Sequence, residues 1–217
     1  MTQVDVTLTD YCLTLECMSF GSILALGRRH AFLQVSWSIF FFSVALAALA
    51  GGTVHGFFLD ESSVGYRVLW PSTLIAIGVT ALAGIQIASE LTFPTSLVAR
   101  ITILSYVLFV GYCLVVLLVR RDFLVAVVGY LPSLLFLGWS FLRTYRRFGR
   151  PAYLVGLFGI CTMLVAAAAQ QAKLGVHPKY FNHNAVYHVL QAVGLYMLFV
   201  TARESTNSKE SIPCTIR

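Results

Sequence analysis

Charge is what this sequence has least of. Asp, Glu, Lys and Arg make up 11% of its 217 residues, where a soluble domain carries about a quarter. With 58% of residues hydrophobic and a mean hydropathy of +0.81, a single buried core would leave too little polar surface for solution. That excludes a secreted module, a disordered linker and an ordinary cytosolic enzyme. The apolar residues must face lipid, so the chain reads as an integral, multi-pass membrane protein.

Other absences narrow the reading. The five cysteines, Cys12, Cys17, Cys113, Cys161 and Cys214, have no metal-knuckle spacing and read as small hydrophobes, not as a disulfide framework. The first ten residues are acidic and lack a basic n-region, so no cleaved signal peptide is expected. No Gly-rich phosphate loop, nucleophile elbow or metalloprotease helix motif is present. The excess of six positive charges is dispersed through short gaps between apolar runs, a pattern of topology control and not of nucleic-acid binding.

What is present is a succession of apolar runs, each near the roughly 20 residues that cross a bilayer as a helix. Residues 31–58, 68–89, 101–119, 123–142, 151–172 and 180–202 contain no Asp, Glu, Lys or Arg. A seventh run, 11–27, is broken only by Glu16. Their length and lack of period-two alternation predict helices, hence an all-α bundle of seven transmembrane helices forming one domain over 1–202, with a cytoplasmic tail over 203–217. Pro71, Pro94, Pro151 and Pro178 fall at or before segment starts, whereas Pro132 lies mid-segment and predicts a kink.

The basic residues orient this bundle. Ten fall on one side, at Arg28, Arg29, Arg100, Arg143, Arg146, Arg147, Arg150, Arg203, Lys209 and Arg217. Five fall on the other, at Arg67, Arg120, Arg121, Lys173 and Lys179. The bias predicts an outside amino terminus and an inside carboxyl terminus. The Arg143–Arg150 loop also suits contact with anionic headgroups.

Polar residues inside apolar runs carry the functional reading, because polarity in lipid is expensive. His55 ends the second run, and His183 and His188 open the seventh. At about 100° per residue, Asn184 and His188 share a helix face that Gln191 continues, while His183 lies about 140° from His188. Histidines from two helices at one depth suit a metal, and catalytic zinc takes three protein ligands and an open position. His55 and His188 supply two; Asn184, His183 or a carboxylate would supply the third. The competing reading is interhelical hydrogen bonding, worth about 0.6 kcal/mol per group. Among the acids, Asp10 and Glu16 fall in the first segment, and Glu16 at membrane depth calls for a partner or a cation.

Seven helices, an outside amino terminus, a histidine ending helix two and a His motif opening helix seven resemble the alkaline ceramidase superfamily, which includes the adiponectin and progestin receptors. Asn184-Ala-Val-Tyr-His188 fits that family's His-x-x-x-His frame with asparagine in the first place. Gly51-Gly-Thr-Val-His55 fits its Ser-x-x-x-His with glycine for serine, and no aspartate stands around residues 68–71. The resemblance implies a divergent, zinc-dependent hydrolase acting on a lipid amide within the bilayer, with His55 and His188 as ligands, Asn184 or His183 completing the set, and Gln191 behind them. It also implies a secondary cation site, of calcium, near Glu16 and Asp10. The alternative on the same scaffold is a non-catalytic binding or signalling protein whose His/Asn cluster is structural or holds metal only.

Overall fold

The structure is a computed structural model describing residues 3–27, 32–177 and 181–207. Seven helices follow in order: α1 Val4–Ala25, α2 Phe32–Phe57, α3 Val64–Thr92, α4 Thr95–Leu118, α5 Phe123–Phe148, α6 Pro151–Gln171 and α7 His183–Asn207. All but α1 are long and apolar enough to cross a membrane. The described residues hold no strand, only one isolated bridge between His177 and Phe181.

Several boundaries differ from the hydropathy pattern, for local reasons. α1 begins at Val4, not at residue 11, so Asp5 and Asp10 belong to a helix and not to a leading tail. Pro71 lies inside α3, which starts at Val64 behind the N-cap Ser63, whose hydroxyl accepts from the Tyr66 N–H at 3.2 Å. Arginine ends a hydrophobic count without ending a helix, because its long stem reaches polar surroundings from a helical backbone. Hence α5 runs on through Arg143, Arg146 and Arg147, and α7 takes up Arg203 and Glu204. Of the expected tail only 203–207 lies within the described residues. Arg28, Arg29, Pro178, Lys179, Lys209, Cys214 and Arg217 lie outside them. Between α5 and α6 the turn is two residues long: Gly149 adopts a left-handed φ of 67° and Pro151 opens the next helix, as expected of a helix stop followed by a helix start.

Six helices form a ring, in the order α1, α2, α3, α5, α6, α7, with α7 closing against α1 and α4 outside on α3. Small and hydroxyl residues draw the backbones together, as in membrane bundles generally. Ser43 and Thr80 bond at 2.8 Å between α2 and α3, and the Ser133 hydroxyl donates to the Ala81 carbonyl at 2.8 Å between α3 and α5. Gln34 of α2 donates to the carbonyls of Leu24 and Gly27, at 2.6 and 3.0 Å, satisfying the end of α1.

The interior differs between the two ends of the ring. Toward the end where α7 finishes, Trp37, Phe40, Phe41, Phe141 and Phe199 are buried and in ring contact, and Phe20 stacks on Phe199 at 4.2 Å. The Trp37 indole N–H donates to the Ser205 hydroxyl at 3.1 Å, tying α2 to the last turns of α7. Toward the end where α1 starts the ring is open inside, and the polar residues gather there.

Candidate functional site

A cavity of about 320 Å³ occupies that half of the ring. Every ring helix contributes to it. Leu13, Val44, Ile77, Leu134 and Met163 give it an apolar floor, and Asp10, His55, Asn184, His188, Gln191 and Gln170 bring polar atoms to its wall. No lysine or arginine lines it. Of the side chains singled out from the sequence, five therefore meet here: His55, His188, Asn184, Gln191 and Asp10. His183 and Glu16 are not on the wall; both are half-buried, His183 on the first turn of α7 and Glu16 on α1.

His188 is fixed on both ring nitrogens. Its Nδ1 lies 3.0 Å from the Thr9 hydroxyl, and its Nε2 lies 3.3 Å from Asp10 Oδ1. The Thr9 hydroxyl points its hydrogen at the carbonyls of Asp5 and Val6, both at 3.0 Å. Counting donors then assigns Nδ1–H as donor to Thr9 Oγ1, which leaves one proton to be shared between Nε2 and the Asp10 carboxyl. Both partners are buried, with side-chain exposures of 11% and 7%.

The fit around Asp10 is close. A Cβ on Gly52 would come within 2.6 Å of the Asp10 Cβ, so only glycine lets α2 pass this carboxylate-bearing turn of α1. Alongside, the Tyr11 and Thr53 hydroxyls bond at 3.2 Å. At the start of α7 the Asn182 side chain caps the helix, accepting from the Asn184 and Ala185 N–H groups at 2.9 and 3.2 Å. The Asn182 N–H donates to Asp5 Oδ2 at 2.9 Å, and with the contacts of His188 to Thr9 and Asp10 it holds α7 in parallel register on α1.

Asn184 Oδ1 accepts from the Gln170 amide at 3.0 Å. His55 differs from the others: its buried Nδ1 has no hydrogen-bond partner among the described residues, and its ring meets Trp70 edge-on at 6.4 Å. Trp70 in turn donates its indole N–H to the Arg121 carbonyl at 2.7 Å, closing the α4–α5 connection over this corner of the cavity.

Thr9 and Gln170 were not singled out from the sequence. Thr9 precedes the hydropathy run that marked the first helix, so nothing placed it opposite a histidine 179 positions away. Gln170 did carry a signal, since with Gln171 it puts two amides at the end of an otherwise apolar run.

The zinc ligand set implied by the resemblance can be tested on these distances. Nδ1 tethering of His188 to Thr9 is the outer hydrogen bond a metal-binding histidine usually makes. The remaining donors do not assemble: among the described residues no three His, Cys, Asp or Glu side chains come together to hold a metal ion. Of the third donors expected from the sequence, Asn184 has its oxygen bonded to Gln170 and His183 is off the cavity wall, which leaves a carboxylate, Asp10, beside His188. As placed, the described residues do not assemble a zinc ligand set, and among them Glu16 joins no group of three that could hold calcium.

Fold and cavity together define an all-α bundle with six membrane-length helices and an internal chamber polar along one stretch of wall. Within that class the chain belongs to the family described as "Family of unknown function (DUF6962)", which it matches over residues 6–207. Neither a curated protein nor a solved structure matches it.

Proposed function

We propose that the chain is a seven-span membrane protein, amino terminus outside and carboxyl terminus inside, that holds a neutral amphiphilic molecule in its cavity. The observation that carries this reading is the chamber itself: about 320 Å³ falls within the usual range of small-molecule sites, roughly 300–1,000 Å³. Its floor suits a hydrocarbon chain. The wall formed by Asp10, His55, Asn184, His188 and Gln191 suits hydroxyl or carbonyl groups. A carboxyl on the wall, with no lysine or arginine beside it, disfavours an anionic headgroup.

Two further features support the reading. α1 packs along α2 on one side and α7 on the other, as a seventh span would. Charge is also asymmetric among the described residues. The end where α7 finishes carries Arg100, Arg143, Arg146, Arg147, Arg150 and Arg203 against Glu90 and Glu204. The opposite end sets Arg67, Arg120, Arg121 and Lys173 against Asp5, Asp60, Glu61 and Asp122.

Access is supplied at the α5–α6 seam. These helices meet at Gly138 against Ile160 and at Phe141 against Gly156 and Tyr153, all below the cavity. At cavity depth the wall is Val127, Leu131, Leu164 and Ala167, and Leu131 is 40% exposed. These apolar side chains suit entry of the ligand from the bilayer at this seam.

Thermal melting of the detergent-solubilised protein against a series of monoacylglycerols tests the reading. A rise of several degrees is expected for chains that fit, since at a free concentration of about 100 Kd a ligand adds about 2.7 kcal/mol. A flat response to the whole series, in the presence of a folded protein, would contradict it.

A second reading, the zinc-dependent lipid amidase, draws support from one observation, the Thr9 tether that leaves His188 Nε2 directed at Asp10. It requires a third donor to move into place. Metal analysis tests its premise: about one zinc per chain, lost in His188→Ala, is expected, none excludes it, and hydrolysis of a lipid amide by the zinc-loaded protein separates it from a site that only holds metal.

A further inference from the structure

The last turns of α5 carry Arg143, Arg146 and Arg147, all exposed. Positive charge at a helix carboxyl terminus answers the macrodipole and needs no ligand. The dipole does not explain the platform beneath Arg143. Its guanidinium lies 5.4 Å from the Trp139 ring centroid and 5.8 Å from that of Phe93. Phe93, Phe136 and Trp139 themselves pack ring on ring, with centroids 5.9–6.2 Å apart. Phe93 is the residue that ends α3, so the platform spans the ends of two helices. Among the described residues none of the three arginines has a carboxylate partner, whereas Arg150 nearby is paired with Glu204 at 3.2 Å.

We propose that this platform is a binding site for the phosphate of an anionic membrane phospholipid. The Arg143 guanidinium stands over both rings with no carboxylate among the described residues to take its N–H groups, and a guanidinium can bind two phosphate oxygens at once. Arg146 and Arg147 add positive charge within the same turn. Below them, Trp139, 45% exposed, and its two stacked partners offer an apolar face to the acyl chains at the depth where aromatic residues collect. Arg147 and Arg203 each lie over a single ring, at 5.1 Å from Phe148 and 6.0 Å from Phe199, whereas Arg143 stands over two rings of a stacked set.

The test is native mass spectrometry of the full chain released from nanodiscs holding equal amounts of phosphatidylglycerol and phosphatidylcholine. The wild type is expected to retain phosphatidylglycerol in preference, and Arg143→Gln to lower that preference by about fivefold, the worth of one interfacial arginine. Trp139→Leu keeps every charge and removes the platform, so it is expected to lower the preference too. Arg143→Lys, which keeps charge without the planar edge, should fall between. Arg100→Gln, at the same end but off the platform, should lower it clearly less than Arg143→Gln does. Equal retention of the two lipids by the wild type overturns the proposal. So does an Arg100→Gln effect as large as that of Arg143→Gln, which would reduce the site to diffuse charge.

Discussion

His188→Ala is expected to destabilise the folded bundle by about 1–3 kcal/mol, the usual cost of leaving a buried polar group without its hydrogen-bond partner. The loss is not only the 3.3 Å contact with Asp10. Alanine leaves the Asp10 carboxyl buried against Gly52 with no group to share its proton, and it frees Thr9 from α7. Asp10→Asn should cost less, about 1 kcal/mol, because the amide still offers Nε2 a hydrogen bond. The double variant Asp10→Ala/His188→Ala should cost clearly less than the two single alanine variants together. Unfolding in mixed micelles, followed by circular dichroism, measures all of these. A His188→Ala protein as stable as the wild type would show that the pair contributes nothing to holding α1 and α7.

Gly159→Ala and Gly194→Ala are the second pair of large effects, each expected to destabilise by about 1–3 kcal/mol. Alanine ordinarily favours a helix over glycine by about 1 kcal/mol, so the sign rests on what the new methyl meets. At Gly159 it meets the Gly194 carbonyl oxygen at 2.8 Å, and at Gly194 it meets the Gly159 carbonyl at 2.9 Å. Backbone cannot step aside as a side chain can, so α6 and α7 must separate. Once they have, the second substitution has little left to displace, and the double variant should cost far less than the sum. Gly111 provides the control: a Cβ there finds nothing within 4 Å, and Gly111→Ala should be neutral or stabilising.

These expectations rest on features of unequal visibility in the sequence. The helical bundle was legible because apolar runs without charge admit few structures in lipid. The ends of the helices were less so. Hydropathy stops at Arg143 and Arg203, but the backbone does not, and it started too late at the other terminus because Asp5 and Asp10 dilute the apolar signal of α1. That late start hid the partner of His188. Helical spacing placed Asn184, His188 and Gln191 on one stripe from a single helix, and all three reach the cavity. Which residues of other helices stand opposite that stripe is a matter of register, and register depends on Gly52, Thr9 and Asn182 acting across positions remote in sequence. The cavity volume was equally invisible, since it is set by how six helices close around small residues.

The most direct measurement is a native mass spectrum of the protein purified in mild detergent, compared with that of Gly51→Leu. Gly51 lines the cavity, and a Cβ there finds Thr73 at 3.5 Å, an ordinary contact, so leucine is expected to take up part of the chamber at little cost to the backbone. The expected result is one lipid-sized adduct on the wild-type chain, absent from Gly51→Leu although that variant melts no lower than the wild type. A bare wild-type chain, or the same adduct on both proteins, would contradict a ligand held in the ring of six helices.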